Sequence, residues 1–274
     1  MATCGLLNFA SCLPEAFFNY FSSILNAPLQ PLLILVKDLL SANVNLQLFS
    51  SLWAIMVYIL SMFYALLILY AGFSFIISGY NAEKRENSKE WLKNIIIMII
   101  LIQASFFIYE LIVSLSSSLT TSTLSLINNN FFLLTLDNLP NVALQIIFFI
   151  TYILVLLITA LILIIRYGIV AIGVVLFPLG IFFYFIQPLK SYGLLLLNFL
   201  GVALFITFLD SIILVGFAKL IDVSLFANIK ILVMIAAFGL VNSAMFFLMF
   251  FSTIKAAFSL GTKVAKIVAK VAAL

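Results

Sequence analysis

The chain has 274 residues, of which 66% are hydrophobic and only 8% charged, with 29 phenylalanines, no histidine and a formal net charge of +4. A soluble domain carries roughly a quarter charged residues, so this composition excludes an ordinary soluble fold and points to an integral membrane protein. The apolar runs are continuous over twenty residues and more instead of alternating in the ~10-residue segments of a membrane barrel, and backbone amides in hydrocarbon must then be satisfied within helices. The expected fold class is all-α and polytopic.

Residues 1–50 read as amphipathic and interfacial. Pro14-Glu15 is a helix start, because proline is tolerated in the first turn and an acid complements the dipole. Phe17, Phe18, Phe21, Ile24 and Leu25 then share one face and Asn19, Ser22, Ser23 and Asn26 the other. A second short helix begins near Pro28 or Pro31 and ends around Leu40. Both are shorter than the ~20 residues that cross ~30 Å of hydrocarbon. Cys4 and Cys12 precede the first span, and a disulfide between them is chemically permitted on an extracellular side. In one continuous helix they would stand ~12 Å apart, too far to bridge. Both states are open. Two cysteines and no histidine cannot build a metal site, and no basic region precedes the first apolar run, so no cleaved signal peptide is expected.

Residues 51–115 read as a transmembrane hairpin: Leu52 to Ile77 and Asn94 to Leu115 are long enough to span, and a charged loop, residues 80–93, joins them. The loop holds Lys84, Arg85, Lys89 and Lys93, and retention of basic residues on the cytoplasmic side places it inside the cell. The N-terminus is then extracellular. In the first span Tyr58, Ser61, Ala65 and Gly72 share a face suited to close helix approach. In the second, Gln103, Glu110, Ser114 and Ser117 form a polar stripe. Intramembrane acids face a bundle interior or water, and Glu110 either does so or reaches the outer interface.

Residues 116–141, rich in Ser, Thr and Asn and without a basic residue, read as a polar external loop. Residues 142–254 read as a transmembrane bundle. Ala143 to Gln187 would be ~65 Å long as one helix, two membrane thicknesses, so a break is expected at Arg166-Tyr-Gly168, giving about six spans in all. Gln145, Tyr152, Thr159 and Arg166 recur every seven residues and share one face, either lining a polar path or bonding a neighbouring helix. Gly173, Gly180, Tyr184 and Gln187 share another, with Pro178 between them. Tyr192 to Phe217 is the next span and contains Asp210. Lys230 to Ile254 is the last. Residues 255–274 form a basic amphipathic tail with Lys255, Lys263, Lys266 and Lys270 on one side, suited to anionic lipid headgroups.

The charge rule strains this count. Six crossings place seven basic residues inside and six outside, whereas failure of one segment between Val142 and Ile186 to cross gives nine against three, leaving Arg166 aside. A re-entrant or long tilted element there is one resolution; a tail held by protein partners is another.

No phosphate loop, nucleophile elbow or metal-ligand cluster is present, so neither enzymatic activity nor a cofactor is expected. Tyr70-Ala-Gly-Phe-Ser-Phe-Ile-Ile-Ser-Gly79, followed by Glu83-Lys-Arg-Glu86 and Lys89-Glu-Trp-Leu-Lys-Asn-Ile-Ile97, resembles the hairpin of membrane subunits of type IV secretion and conjugation systems. Arg166, Phe177-Pro-Leu-Gly180 and Gln187-Pro-Leu-Lys190 are similar to the pattern of the polytopic pore subunit of the same machines, with the archaeal Ced-type DNA-import subunits the closer version. The resemblance covers Ser51 to about Phe217. It implies a non-enzymatic pore or platform subunit in the cell membrane, assembled with small membrane subunits and a conjugation-type ATPase, with DNA as cargo. On that implication the basic loop at Lys84, Arg85, Lys89 and Lys93 is a docking surface. From the residues alone, lipid headgroups are the preferred ligand of the loop over DNA or an ATPase, because the alternating Glu83, Glu86 and Glu90 dilute its field. A stand-alone small-solute transporter using Glu110, Arg166 and Asp210 is the alternative function.

Overall fold

The computed structural model describes residues 27, 29–80, 82–127, 142–227 and 229–272, with backbone only at 80, 142–146, 227, 252–253 and 255–272. The expected helix after Pro14, Cys4 and Cys12, and the part of the external loop from 128 to 141 lie outside the described residues. Every regular element described is helical: α1 over 29–41, α2 Ser50–Ile77, α3 Ala82–Leu124, α4 Val142–Phe185, α5 Lys190–Ile221, the short α6 Ser224–Ala227 and α7 Lys230–Ala272, with 3-10 turns at Leu46–Phe49, Ser78–Tyr80 and Gln187–Leu189. Among the described residues five helices, α2, α3, α4, α5 and α7, are long and apolar enough to cross a membrane.

Four expected boundaries move, each for a local physical reason. The charged segment is not a loop: α3 begins at Ala82 and runs through Lys93, the reversal being confined to the turn at Ser78–Tyr80. The Ser/Thr-rich segment after Leu115 stays helical to Leu124. Thr121 and Thr123 donate to the carbonyls of Ser117 and Leu119, 2.9 and 2.8 Å away, so their hydroxyls are absorbed without opening the helix. The expected break at Arg166-Tyr-Gly168 is absent, and α4 is one helix of 44 residues. Finally, the basic tail continues α7 to Ala272 without a separate start; the side chains of Lys255, Lys263, Lys266 and Lys270 lie outside the described residues.

The packing divides into two units. The first combines the N-terminal residues to Ala42 with Ser117–Ile165 and Thr207–Phe246. Here α1 buries Leu29, Leu33, Val36 and Leu40, spaced along one helical face, and leaves Ile34 and Leu35 outward. Leu33, Val36 and Leu40 line a small apolar gap with Leu124, Ile127 and Phe238, and Ser117 donates to the carbonyl of Ser41 at 3.1 Å. In α4 the residues Ile147, Ile150, Leu154, Leu157, Leu161 and Ile164 form an outward apolar stripe. Opposite it, Tyr152, Leu156, Thr159 and Leu163 are fully buried.

The second unit combines Asn43–Ser116, Arg166–Ile206 and Phe247–Leu274. Asn45 accepts from the amide of Gln47 at 3.2 Å and caps the turn that leads into α2. The hairpin is held by three pairs along its length. Trp53 Nε1 donates to Ser105 Oγ at 2.9 Å, the rings of Tyr70 and Trp91 meet edge to face with centroids 5.0 Å apart, and Ser74 and Ser88 share a hydrogen bond of 3.0 Å. Val57, Leu60 and Ala71 of α2 pack on Ile95, Met98 and Ile102 of α3 and on Ile181 and Phe182 of α4. The face expected to meet a neighbouring helix looks away from this chain instead: Tyr58, Ala65 and Gly72 are exposed, and a Cβ added to Gly72 would meet nothing within 4 Å. Trp53 and Tyr64, larger and able to fill the interhelical gap, take the inward side.

The α4–α5 hairpin depends on two glycines. A Cβ on Gly193 would strike the backbone nitrogen of Tyr184 and come 2.7 Å from the carbonyl oxygen of Gly180, so two backbones meet where any side chain would stand. Backbone cannot give way as a side-chain tip can. Gly193→Ala is therefore expected to cost about 2–3 kcal/mol and lower the melting temperature in detergent, while Gly201→Ala, with nothing within 4 Å, leaves it unchanged. Equal melting temperatures for the two variants would contradict this packing.

Candidate functional site

Two features of the second unit bring polar chemistry together: a buried node around Arg166 and an open cleft at the hairpin tip. Arg166 is 4% exposed. Its Nε donates to the carbonyl of Ala203 at 2.8 Å and a terminal nitrogen to the carbonyl of Leu204 at 3.1 Å. Ser116 Oγ of α3 also donates to the Leu204 carbonyl, so α3 and α4 converge on one peptide group of α5. One turn further along α4, the hydroxyl of Tyr109 donates to the carbonyl of Val170 at 2.8 Å, and its ring lies against Phe177, with centroids 5.3 Å apart. A Cβ on Gly173 would collide with that hydroxyl and stand 2.8 Å from a methyl of Leu200. The glycine makes room for the tyrosine, and the tyrosine fixes α3 on α4.

The other feature is a cleft of about 920 Å³ between the end of α2, the start of α3 and the α4–α5 turn. Lys84, Asn87, Ser88, Glu90, Asn94 and Gln187 supply its polar lining and Phe73, Ile77, Ile186 and Pro188 its apolar lining. A second hollow of about 310 Å³ shares Glu90, Trp91, Asn94 and Gln187 and adds Tyr184 and Lys190. Lys190 Nζ lies 5.3 Å from the Tyr184 ring centroid, and the Arg85 guanidinium 5.7 Å from that of Phe75. Lys89 pairs with Glu86 at 3.7 Å on the open surface, a contact worth little by itself.

The residues singled out in the sequence fall as follows. Lys84, Arg85, Lys89 and Lys93 are all exposed, at the start of α3. Tyr152, Thr159 and Arg166 share one face of α4, and that face is buried in protein; the side chain of Gln145 lies outside the described residues. Thr159 bonds back to the carbonyl of Val155 at 2.8 Å, and Asn242 of α7 reaches the same carbonyl at 3.1 Å. The Thr159 bond stays within α4, and the bonds between helices at this face are those of Arg166 to α5 and of Asn242 to α4. Glu110 is exposed on α3, on the side of Gln103 and Ser114, whereas Asp210 is fully buried in the first unit. Glu110 and Arg166 thus share a unit, the first exposed and the second buried. Among the described residues no group of three metal-ligating side chains is present. Sequence reasoning missed Tyr109 and Ser116 altogether, and it singled out Gln187 and Lys190 without the hollows they line, because nothing in the sequence joins them to the start of α3.

Fold and site define a membrane-embedded protein, helical in every regular element among the described residues, with five candidate spans there, a node where Arg166 and Ser116 tie α4 and α3 to α5, and four basic residues at one hairpin tip. No family model matches the sequence, and no curated protein and no solved structure is similar to it at a significant level.

The fit between Gly173 and Tyr109 gives a double-mutant test. Gly173→Ala is expected to destabilise by about 2 kcal/mol through overpacking, and Tyr109→Phe by about 1 kcal/mol through the lost hydrogen bond. Combining them should cost about 1 kcal/mol less than their sum, because the phenyl ring lacks the colliding oxygen. Strict additivity in denaturation of the purified protein would refute the contact.

Proposed function

We propose that the chain is a non-enzymatic platform or pore subunit of a type IV secretion-like DNA transfer apparatus in the cell membrane, assembled with small membrane subunits and a conjugation-type ATPase, with DNA as cargo. One contrast carries the reading. The buried cation Arg166 is engaged with the carbonyls of a neighbouring helix, whereas four exposed cations, Lys84, Arg85, Lys89 and Lys93, follow one another at the hairpin tip, where an open cleft lies. A solute transporter needs its intramembrane charges around a substrate site, whereas Glu110 is exposed on α3 and Arg166 is buried against α5. A docking platform needs accessible charge at one end of its spans. DNA would be drawn by basic residues through an electrostatic, salt-dependent attraction, although Glu83, Glu86 and Glu90 weaken the field of the tip and favour a protein surface there.

Sidedness belongs to the same proposal. With five crossings and the hairpin tip in the cytosol, Lys84, Arg85, Lys89, Lys93, Lys190, Lys255, Lys263, Lys266 and Lys270 lie inside, and Lys37, Lys219 and Lys230 outside. Nine against three satisfies the retention rule that six crossings strain. The tail also belongs to the packing unit that holds the tip and the α4–α5 turn. The N-terminus is then extracellular.

Two experiments test these proposals. Affinity purification of the tagged chain from its native membrane is expected to bring down small membrane proteins and an ATPase, and to lose the ATPase when Lys84, Arg85, Lys89 and Lys93 are changed together to Ser. An isolated monomer or dimer that moves a small solute, with transport lost in Arg166→Ala, favours the transporter instead. For sidedness, single cysteines at Ala82 and Ala265 should both resist a membrane-impermeant maleimide in intact cells. Labelling of Ala265→Cys alone would restore an even number of crossings.

A further inference from the structure

The cleft at the hairpin tip has the build of a lipid site. Its lining divides by chemistry: Lys84, Asn87, Ser88, Glu90, Asn94 and Gln187 offer charge, amide and hydroxyl groups, and Phe73, Ile77, Ile186 and Pro188 offer an apolar wall. That wall continues onto α2, where Phe73 is 58% and Ile77 78% exposed. The cleft sits where three apolar helices end: α2 at Ile77, α3 at its charged first turns and α4 at Phe185. Aromatic side chains with polar tips mark the water–lipid boundary, and here Tyr70 and Trp91 pair edge to face while Tyr184 carries Lys190 on its ring. The hydroxyl of Ser88 is already committed to the carbonyl of Lys84 at 2.9 Å. The same hydroxyl shares a hydrogen bond of 3.0 Å with Ser74 of α2, which ties the two helices at the cleft.

We propose that this cleft holds the headgroup of a membrane phospholipid that carries a hydrogen-bond donor beyond its phosphate. Lys84 of the cleft and Lys190 of the hollow that shares Glu90, Asn94 and Gln187 with it flank the phosphate, Glu90 and Asn94 accept from the headgroup's ammonium or hydroxyl, and the first acyl carbons lie on Phe73 and Ile77. The single acid common to both hollows, Glu90, separates this from a plain anion site: a carboxylate repels free phosphate but accepts from a donor-bearing headgroup. The volume, about 920 Å³, falls within the usual range of small-molecule sites. Bound lipid would fix α2 against the α4–α5 turn and so stiffen the surface offered to any cytosolic partner.

The test uses the full chain, delipidated in detergent and titrated with short-chain phosphatidylglycerol, phosphatidylethanolamine and phosphatidylcholine, with bound lipid counted by native mass spectrometry. The first two should be retained about fivefold more than phosphatidylcholine, which has phosphate but no donor. Changing Lys84 and Lys190 together to Ala should cut retention of all three about twentyfold, while Lys219→Ala, remote from the cleft in sequence, leaves it unchanged. Glu90→Gln should lower phosphatidylethanolamine retention about fivefold and spare phosphatidylglycerol. Equal retention by wild type and the double variant overturns the proposal, as does displacement of bound lipid by millimolar inorganic phosphate. A photo-crosslinker at Asn87 keeps the test decisive if a variant unfolds. A lipid adduct supports the site, and a polypeptide adduct assigns the cleft to a protein segment and overturns it.

Discussion

A guanidinium keeps its charge at every physiological pH, so an arginine in an apolar helix must be met by acceptors or expelled to water. Arg166 is met. Two successive carbonyls of α5, those of Ala203 and Leu204, take its hydrogen bonds, and the planar fork of the side chain suits adjacent acceptors as a lysine would not. This explains why α4 continues unbroken for 44 residues past a position that otherwise signals the edge of a membrane. Because α4 continues, it counts once among the five helices that, among the described residues, are long and apolar enough to cross a membrane.

The same node explains why α3, α4 and α5 pack as they do within their unit. Hydrophobic burial gives little preference among helices already surrounded by lipid, and close packing and interhelical hydrogen bonds decide instead. Ser116 and Arg166 converge on the Leu204 carbonyl, and Tyr109 reaches the Val170 carbonyl through the space left by Gly173. Gly180 and Gly193 then bring the α4 and α5 backbones together near their turn. Polar residues orient the helices and glycines set their distance. The buried face of Tyr152 and Thr159 continues this logic in the other unit, where Asn242 donates to the carbonyl of Val155.

Much of this was legible in the sequence. Helical class, the hairpin apolar segments and the shared face of Tyr152, Thr159 and Arg166 follow from run length and a seven-residue spacing. The break at Arg166 was misread because a charged residue two positions before a glycine is the usual mark of a span end, and only the α5 carbonyls reveal that the charge is satisfied inside. Ser117 to Thr123 was misread as loop because hydroxyl-rich composition favours loops on average, whereas here Thr121 and Thr123 bond within their own helix. The outward orientation of Tyr58, Ala65 and Gly72 could not be read at all. A nearly uniform apolar helix such as α2 has no periodicity to show which side faces protein. The cleft was invisible for a different reason: Lys84 and Gln187 are a hundred positions apart and meet only through the α4–α5 turn.

The continuity of α4 through Arg166 is the claim on which the five candidate spans among the described residues, the proposed sidedness and the interhelical node all rest. Amide hydrogen exchange of the detergent-solubilised protein across Ile165–Val170 tests it directly. Unbroken helical bonding predicts protection within about tenfold of that at Val155–Leu163. Exchange about a hundredfold faster at Tyr167–Ile169 than on either side would mark a break there, and the five-helix account would fail.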